Sequence, residues 1–132
     1  MSTMRASGPF DVKVSPLPAY NTEDASLARM SIDKQFKGDL EATSKGEMLS
    51  AGSVVKGSAG YVAIERVTGS LAGRTGTFVL QHSATMNRGV PQLSITVVPD
   101  SATGDLIGLT GTMMINIDAG KHSYDFDYNL PS

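Results

Sequence analysis

The sequence predicts an all-β protein of about eight short strands, arranged as a sandwich or an up-and-down barrel. Apolar and polar residues alternate with the period of two that strands show, and the segments recur at short spacing along the chain. No segment keeps a helical period over a useful length. Because the connections are short and sequential, we expect neighbouring strands to pair in a meander. An eight-stranded barrel encloses either packed side chains or one small ligand.

Length and composition indicate one domain, spanning residues 1–132. The chain has 11 basic and 13 acidic side chains, a formal charge of -2 and no long run of like charge. We therefore expect neither a nucleic acid nor a membrane as partner. It contains no cysteine, which is compatible with a cytoplasmic location. The first residues lack the apolar stretch of a signal peptide, so we expect a cytoplasmic protein.

The first half of the chain contains three predicted strands. Residues 1–8 are polar and are expected to be loose, and the first strand follows with Phe10, Val12 and Val14 on one face. The second strand is predicted over residues 27–37, where Lys34 falls on an otherwise apolar face. The third runs over residues 40–53, with a bulge expected at Lys45-Gly46.

The second half contains five predicted strands with clearer alternation. The strands are predicted over residues 61–67, 77–82, 92–98, 106–118 and 122–129. Residues 100–104 read DSATG, a composition that favours a tight connection between antiparallel neighbours.

The strands over residues 61–67 and 77–82 form a predicted hairpin whose loop contains Gly69, Gly73 and Gly76. Its register decides which side chains face inward. In one arrangement Tyr61, Ala63 and Glu65 share the inner face with Phe78, Leu80 and His82. In the other, Val62, Ile64 and Arg66 take that place. We favour the first arrangement, because a glycine-rich loop has room for a bulge that shifts the parity.

Four stretches of the chain resemble a known family. They are KQFKGDLEATSKGEMLSAG (34–52), GYVAIERVTGSLAGRTGTFVLQH (60–82), VVPDSATGDLIGLTG (97–111) and HSYDFDYNL (122–130). Together they resemble the uncharacterised bacterial family called domain of unknown function 3224, over nearly the whole chain. The resemblance implies a closed eight-stranded antiparallel meander barrel, similar to that of allene oxide cyclase. The family has no established activity, so the resemblance implies an architecture and no reaction.

The favoured arrangement places Glu65, His82 and Tyr61 in the barrel lumen as candidate catalytic residues. A carboxylate and an imidazole in an apolar cavity can exchange protons near neutral pH, because burial and charge shift their pKa values in opposite directions. A tyrosine hydroxyl can hydrogen-bond a developing oxyanion. The alternative is an ordinary ion pair on the sheet surface, in which Glu65 pairs with a neighbouring Arg66, Lys34 or Lys56.

Five further residues are candidate ligand contacts, because the same pattern turns them toward the lumen. They are Lys34, Phe78, Leu80, His122 and Tyr124. No metal or other cofactor is expected, since His82 and His122 are the only histidines and no HxH or HExxH spacing supports a metal site.

The sequence therefore favours a barrel that binds a small apolar molecule. The alternatives are a small isomerase, cyclase or lyase that uses Glu65, His82 and Tyr61, and a scaffold with a packed lumen. An enzyme would hold Glu65 and His82 within hydrogen-bond reach of each other. Val62 and Ile64 on one face, with Ala63 and Val67 on the other, also predict a homo-oligomer, either a dimer or a trimer, that covers the outer surface.

Overall fold

The computed structural model describes residues 3–131 as a closed eight-stranded antiparallel barrel, which confirms the predicted fold class. Each strand pairs with its neighbours in chain order, and the last strand pairs with the first to close the sheet. The strands are β1 (Met4–Leu17), β2 (Leu27–Phe36), β3 (Leu40–Gly52), β4 (Ala59–Leu71), β5 (Arg74–Asn87), β6 (Val90–Val97), β7 (Thr110–Asp118) and β8 (Lys121–Asn129).

One end of the barrel is packed solid, and we call it the closed end. Here aromatic side chains from several strands meet. Phe78 stacks on Phe126 with 5.8 Å between ring centroids, and Phe126 stacks on Tyr128 at 5.3 Å. All three are buried, with Phe36 and Leu71 beside them in one continuous core. Such aromatic pairs add to the apolar area removed from water, so this half supplies most of the hydrophobic stabilisation.

The connection between β6 and β7 seals the closed end. It is longer than the predicted tight loop: it runs over residues 98–109 and contains a short 3₁₀ helix, Gly104–Leu106. Leu106 and Leu109 are buried in the core, and this burial explains why residues 106–109 leave the sheet. Within residues 3–131, no helix has the length and apolarity needed to cross a membrane.

The barrel wall has the fewest paired residues between β6 and β7. Thr96 and Thr112 form the one paired position assigned to these strands in the described part of the chain. By contrast, β5 pairs with β6 from Leu80 to Asn87.

The N-terminal segment is ordered in the sheet, where the sequence predicted a loose end. β1 begins at Met4 and pairs with β8 as far as Pro9. Arg5 forms a two-pronged ion pair with Asp127, at 2.7 and 2.9 Å. The segment has little apolar alternation because polar contacts to β8 hold much of it. Residues 1 and 2 lie outside the described range.

β3 has no bulge, contrary to the expectation for Lys45-Gly46. Its pairing with β2 and with β4 continues without a shift through both residues. Gly46 has a different role, because β4 passes very close to it. A Cβ built on Gly46 would lie 2.6 Å from the Cα of Glu65 and 2.7 Å from its Cβ, and would also collide with the carbonyl oxygen of Ile64.

The β4–β5 turn consists of only two residues, Ala72 and Gly73, both with positive φ. Gly69 and Gly76 therefore pair with each other inside the ladder and do not belong to a loop. A two-residue turn puts Glu65 on the same face as His82 without any bulge. The favoured inward arrangement is confirmed, although the expected cause was wrong.

Replacement of Gly46 by alanine is expected to lower the free energy of unfolding by about 1–3 kcal/mol, the usual cost of overpacking. Urea denaturation would measure it. Gly52 is the matched control, because it lies on the same strand and a Cβ there meets nothing within 4 Å. Equal midpoints for Gly46→Ala and Gly52→Ala would show that the close approach of β4 does not constrain residue 46.

Candidate functional site

A polar cluster lies in the middle of the barrel, above the packed core. Its centre is Glu65, whose side chain is 0% exposed. Around it are Lys34, Ser44 and His82, all buried, and Tyr61, which is half-buried. We call these five residues the Glu65 cluster.

Strand register brings the cluster together. Lys34 on β2 pairs with Ser44 on β3, two residues before Gly46, which pairs with Glu65 on β4. His82 on β5 pairs with Ala63, the inward residue next to Glu65 on β4. Because neighbouring strands lie about 4.8 Å apart, four consecutive strands place these side chains within hydrogen-bonding distance. Because Gly46 has no side chain, β4 can pass close to β3 at this position.

Both carboxylate oxygens of Glu65 accept hydrogen bonds. Oε1 accepts one from the hydroxyl of Ser44 at 2.7 Å. Oε2 accepts one from Lys34 Nζ at 2.8 Å and one from His82 Nε2 at 2.6 Å. Lys34 Nζ also lies 5.3 Å from the ring centre of Phe10 and 5.7 Å from that of Phe36, a cation–π arrangement. The buried charge of Glu65 is thus compensated on every side.

The cluster keeps Glu65 ionised. Burial alone would raise the pKa of its carboxyl, but the hydrogen bond from His82, together with the charge and hydrogen bond of Lys34, outweighs burial and lowers the pKa from 4.5 to about 2. Burial raises the pKa of the Tyr61 hydroxyl, and the negative charge of Glu65 adds to that increase. Tyr61 is therefore a neutral phenol at physiological pH.

His82 connects Glu65 to Tyr61. An ionised carboxylate can only accept hydrogen bonds, so Nε2 must carry a hydrogen and donate it to Glu65. The other ring nitrogen, Nδ1, lies 3.4 Å from the hydroxyl oxygen of Tyr61. The result is a chain of contacts that runs from the sealed carboxylate, through the imidazole, to a hydroxyl near the open end.

The open half of the barrel contains a cavity of about 270 Å³ above the Glu65 cluster. Its wall is apolar apart from four residues, Lys34, Tyr61, His82 and His122. A groove of about 570 Å³ adjoins it at the mouth, and the two share Met48, Tyr61, Leu93 and Ile117 as lining residues. Leu93 is 42% exposed and Ile117 is 66% exposed, so apolar side chains surround an entrance that is open to solvent.

The structure divides the sequence-predicted ligand contacts into two groups. Lys34 and His122 line the cavity, and the ring of His122 packs edge-on against Phe10. Phe78 and Leu80 are buried in the closed half, away from the cavity wall. Tyr124 is also buried there, where its hydroxyl donates to the carbonyl oxygen of Lys37 at 2.7 Å and accepts from the Leu40 amide at 2.9 Å.

The three candidate catalytic residues lie together in the lumen. Glu65 and His82 are in direct hydrogen-bond contact, and Tyr61 contacts His82. The expected surface ion pair is not the arrangement found: Arg66 and Lys56 are exposed, and Lys34 meets Glu65 inside the barrel. Among residues 3–131, no group of three or more His, Asp or Glu side chains could hold a metal ion.

Sequence reasoning missed Ser44 and Gly46 as members of this site. Alternation along β3 contained the signal for Ser44, because it continues the inward series that begins with Leu40 and Ala42. For Gly46, the expectation of a bulge concealed its position opposite Glu65. A polar residue and a glycine that continue an inward series mark the place where a buried group needs a donor and space.

The fold and site define an open-mouthed eight-stranded barrel with a buried, compensated carboxylate beneath an apolar cavity. The chain belongs to the family described as "Protein of unknown function (DUF3224)", whose profile matches residues 6–128. It is similar to a crystal structure of a protein of unknown function from that family, from Shewanella oneidensis MR-1. The two share 51% sequence identity over 99% of each chain, with a TM-score of 0.94. No curated protein matches the chain.

Acid is expected to remove the contribution of Glu65 to stability. Its pKa is about 2 in the fold and 4.5 ordinarily, so the contribution is complete above about pH 4.5 and is lost as the pH falls toward 2. The shift corresponds to about 3 kcal/mol. The double variant Lys34→Met/Glu65→Gln lacks the titrating group and leaves no unpaired buried charge.

Urea denaturation of both proteins between about pH 5.5 and 2.5 would test this expectation. The wild type should lose about 2–3 kcal/mol more than the double variant over that range, because surface carboxylates contribute equally to both proteins and cancel. Parallel curves would contradict the expectation and show that Glu65 has an ordinary pKa.

Proposed function

We propose that this protein binds a small, mainly apolar molecule in the open half of its barrel. The observation that carries the proposal is the cavity of about 270 Å³, with an apolar wall and a few convergent polar groups at its floor. Ligand sites commonly combine these features at volumes of about 300–1,000 Å³. The adjoining groove provides further room for a longer ligand. Because the packed closed end blocks through-passage, the ligand enters and leaves at the same mouth.

The buried cluster gives such a ligand a fixed polar anchor. Its charges and hydrogen bonds are satisfied within the protein, and no buried side-chain nitrogen or oxygen among the described residues lacks a partner. The floor therefore needs no bound molecule for its stability. The free energy of ligand binding comes mainly from the burial of apolar surface. An exchangeable ligand fits this arrangement better than a permanent structural one.

A second candidate function is proton transfer, favoured by the contacts from Glu65 through His82 to Tyr61. Glu65 is sealed from the cavity, so it acts as a positioning residue, and Tyr61 is the group that meets a substrate. With a ketone, the Tyr61 oxygen takes an α-hydrogen as a proton while its own proton passes to His82 Nδ1. The electron pair of the broken C–H bond forms the enolate, and Glu65 stabilises the imidazolium.

The binding proposal is tested with 1-anilinonaphthalene-8-sulfonate, a fluorescent apolar probe, and two tryptophan variants. Leu93→Trp is expected to fill the cavity mouth and weaken probe binding about tenfold or more, equal to 1.4 kcal/mol. Leu49→Trp is the matched control, because Leu49 is 57% exposed and lines a separate groove on the outer surface. Loss of binding in Leu49→Trp alone would place the probe on the outer wall and overturn the proposal.

The proton-transfer candidate is tested with 1-tetralone in D₂O. Proton NMR is expected to show exchange of its α-hydrogens faster than in buffer, and Tyr61→Phe should abolish the acceleration because it removes the accepting oxygen. Tyr128→Phe is the control, since Tyr128 is buried in the closed half. If the ketone binds and its exchange rate equals that in buffer, this candidate function is excluded.

A further inference from the structure

Hydrogen-bond direction within the Glu65 cluster restricts what Tyr61 can offer to a ligand. Nε2 of His82 donates to Glu65. Lys34 already supplies the one positive charge that balances Glu65, and a second buried cation would have no partner, so we assign the neutral imidazole, in which Nδ1 carries a lone pair. The only donor facing that lone pair in the cluster is the Tyr61 hydroxyl, at 3.4 Å. The Tyr61 hydroxyl has one hydrogen to donate, and the contact with His82 uses it. The lone pairs on the Tyr61 oxygen remain for the cavity.

Tyr61 is also the polar group at the junction between the groove and the cavity. Of the four residues shared by the cavity and the groove, it alone has a hydroxyl. Lys34, the cationic group at the floor, is already engaged, because it contacts Glu65 and lies over two aromatic rings. The side chain of Lys34 is only 5% exposed, whereas Tyr61 is half-buried.

We infer that the ligand of this barrel is an apolar alcohol or phenol, whose hydroxyl donates a hydrogen bond to the Tyr61 oxygen. The inference rests on the proposed function and adds the chemical class of the ligand. A molecule with only a carbonyl group would place an acceptor against an acceptor. It could then bind through its apolar surface alone, or only after Tyr61 gave up its contact with His82. The site therefore discriminates by hydrogen-bond direction, a stronger basis for selection than apolar shape alone.

The test uses three probes with one bicyclic skeleton: 1-tetralol, 1-tetralone and tetralin. Each is titrated against the protein loaded with 1-anilinonaphthalene-8-sulfonate, and displacement gives its affinity. In the wild type, 1-tetralol is expected to bind about three- to tenfold more tightly than 1-tetralone, the effect of one net hydrogen bond. In Tyr61→Phe this preference should disappear, while Tyr128→Phe should keep it.

The outcomes separate the inference from the proposed function. If all three probes displace the fluorophore and 1-tetralone equals or exceeds 1-tetralol in affinity, the binding cavity stands and the inferred ligand class is overturned. A preference for the alcohol that survives Tyr61→Phe also overturns it, because another group would then be the acceptor. If no probe displaces the fluorophore, the proposed function fails and the inference fails with it.

Discussion

The structure depends on the burial of one ionised carboxylate. A charge in an apolar interior is very costly unless it is paired and hydrogen-bonded, and the barrel meets this requirement around Glu65 with three donors from three other strands. Two of these donors meet a constraint of their own: Lys34 interrupts an apolar face, and His82 must present Nε2. Gly46 must lack a side chain so that β4 can pass. The polar centre therefore constrains four of the eight strands at once.

The sequence could predict the strands and most of the lumen residues, because alternation records which face of a strand is buried. It put Lys34 on an otherwise apolar face, and it favoured Glu65 and His82 inside on an assumed hairpin register. It could not predict that β1 begins at Met4, since polar contacts between neighbouring strands leave no apolar period. It also could not predict that Phe78 and Tyr124 lie in the closed half and do not line the cavity. Alternation separates inside from outside, but it does not indicate which level of a barrel is packed and which is open.

The two halves of the barrel have different roles. The closed half, with its stacked rings and the inserted residues Leu106 and Leu109, provides the buried apolar area on which folding depends. The open half has exposed apolar side chains at its rim and a polar floor whose own groups are paired. Residues at the rim can therefore vary with little effect on the packed core.

The sparse pairing between β6 and β7 has a consequence for how the cavity is reached. These strands carry Leu93 and Ile117, two of the apolar residues at the mouth, and Thr96–Thr112 is the one paired position assigned between them in the described chain. A seam with few backbone hydrogen bonds is where local opening costs least free energy. The Glu65 cluster lies on the opposite, fully laddered arc of β2 to β5. Local opening between β6 and β7 can widen the entrance while the Glu65 cluster keeps its position.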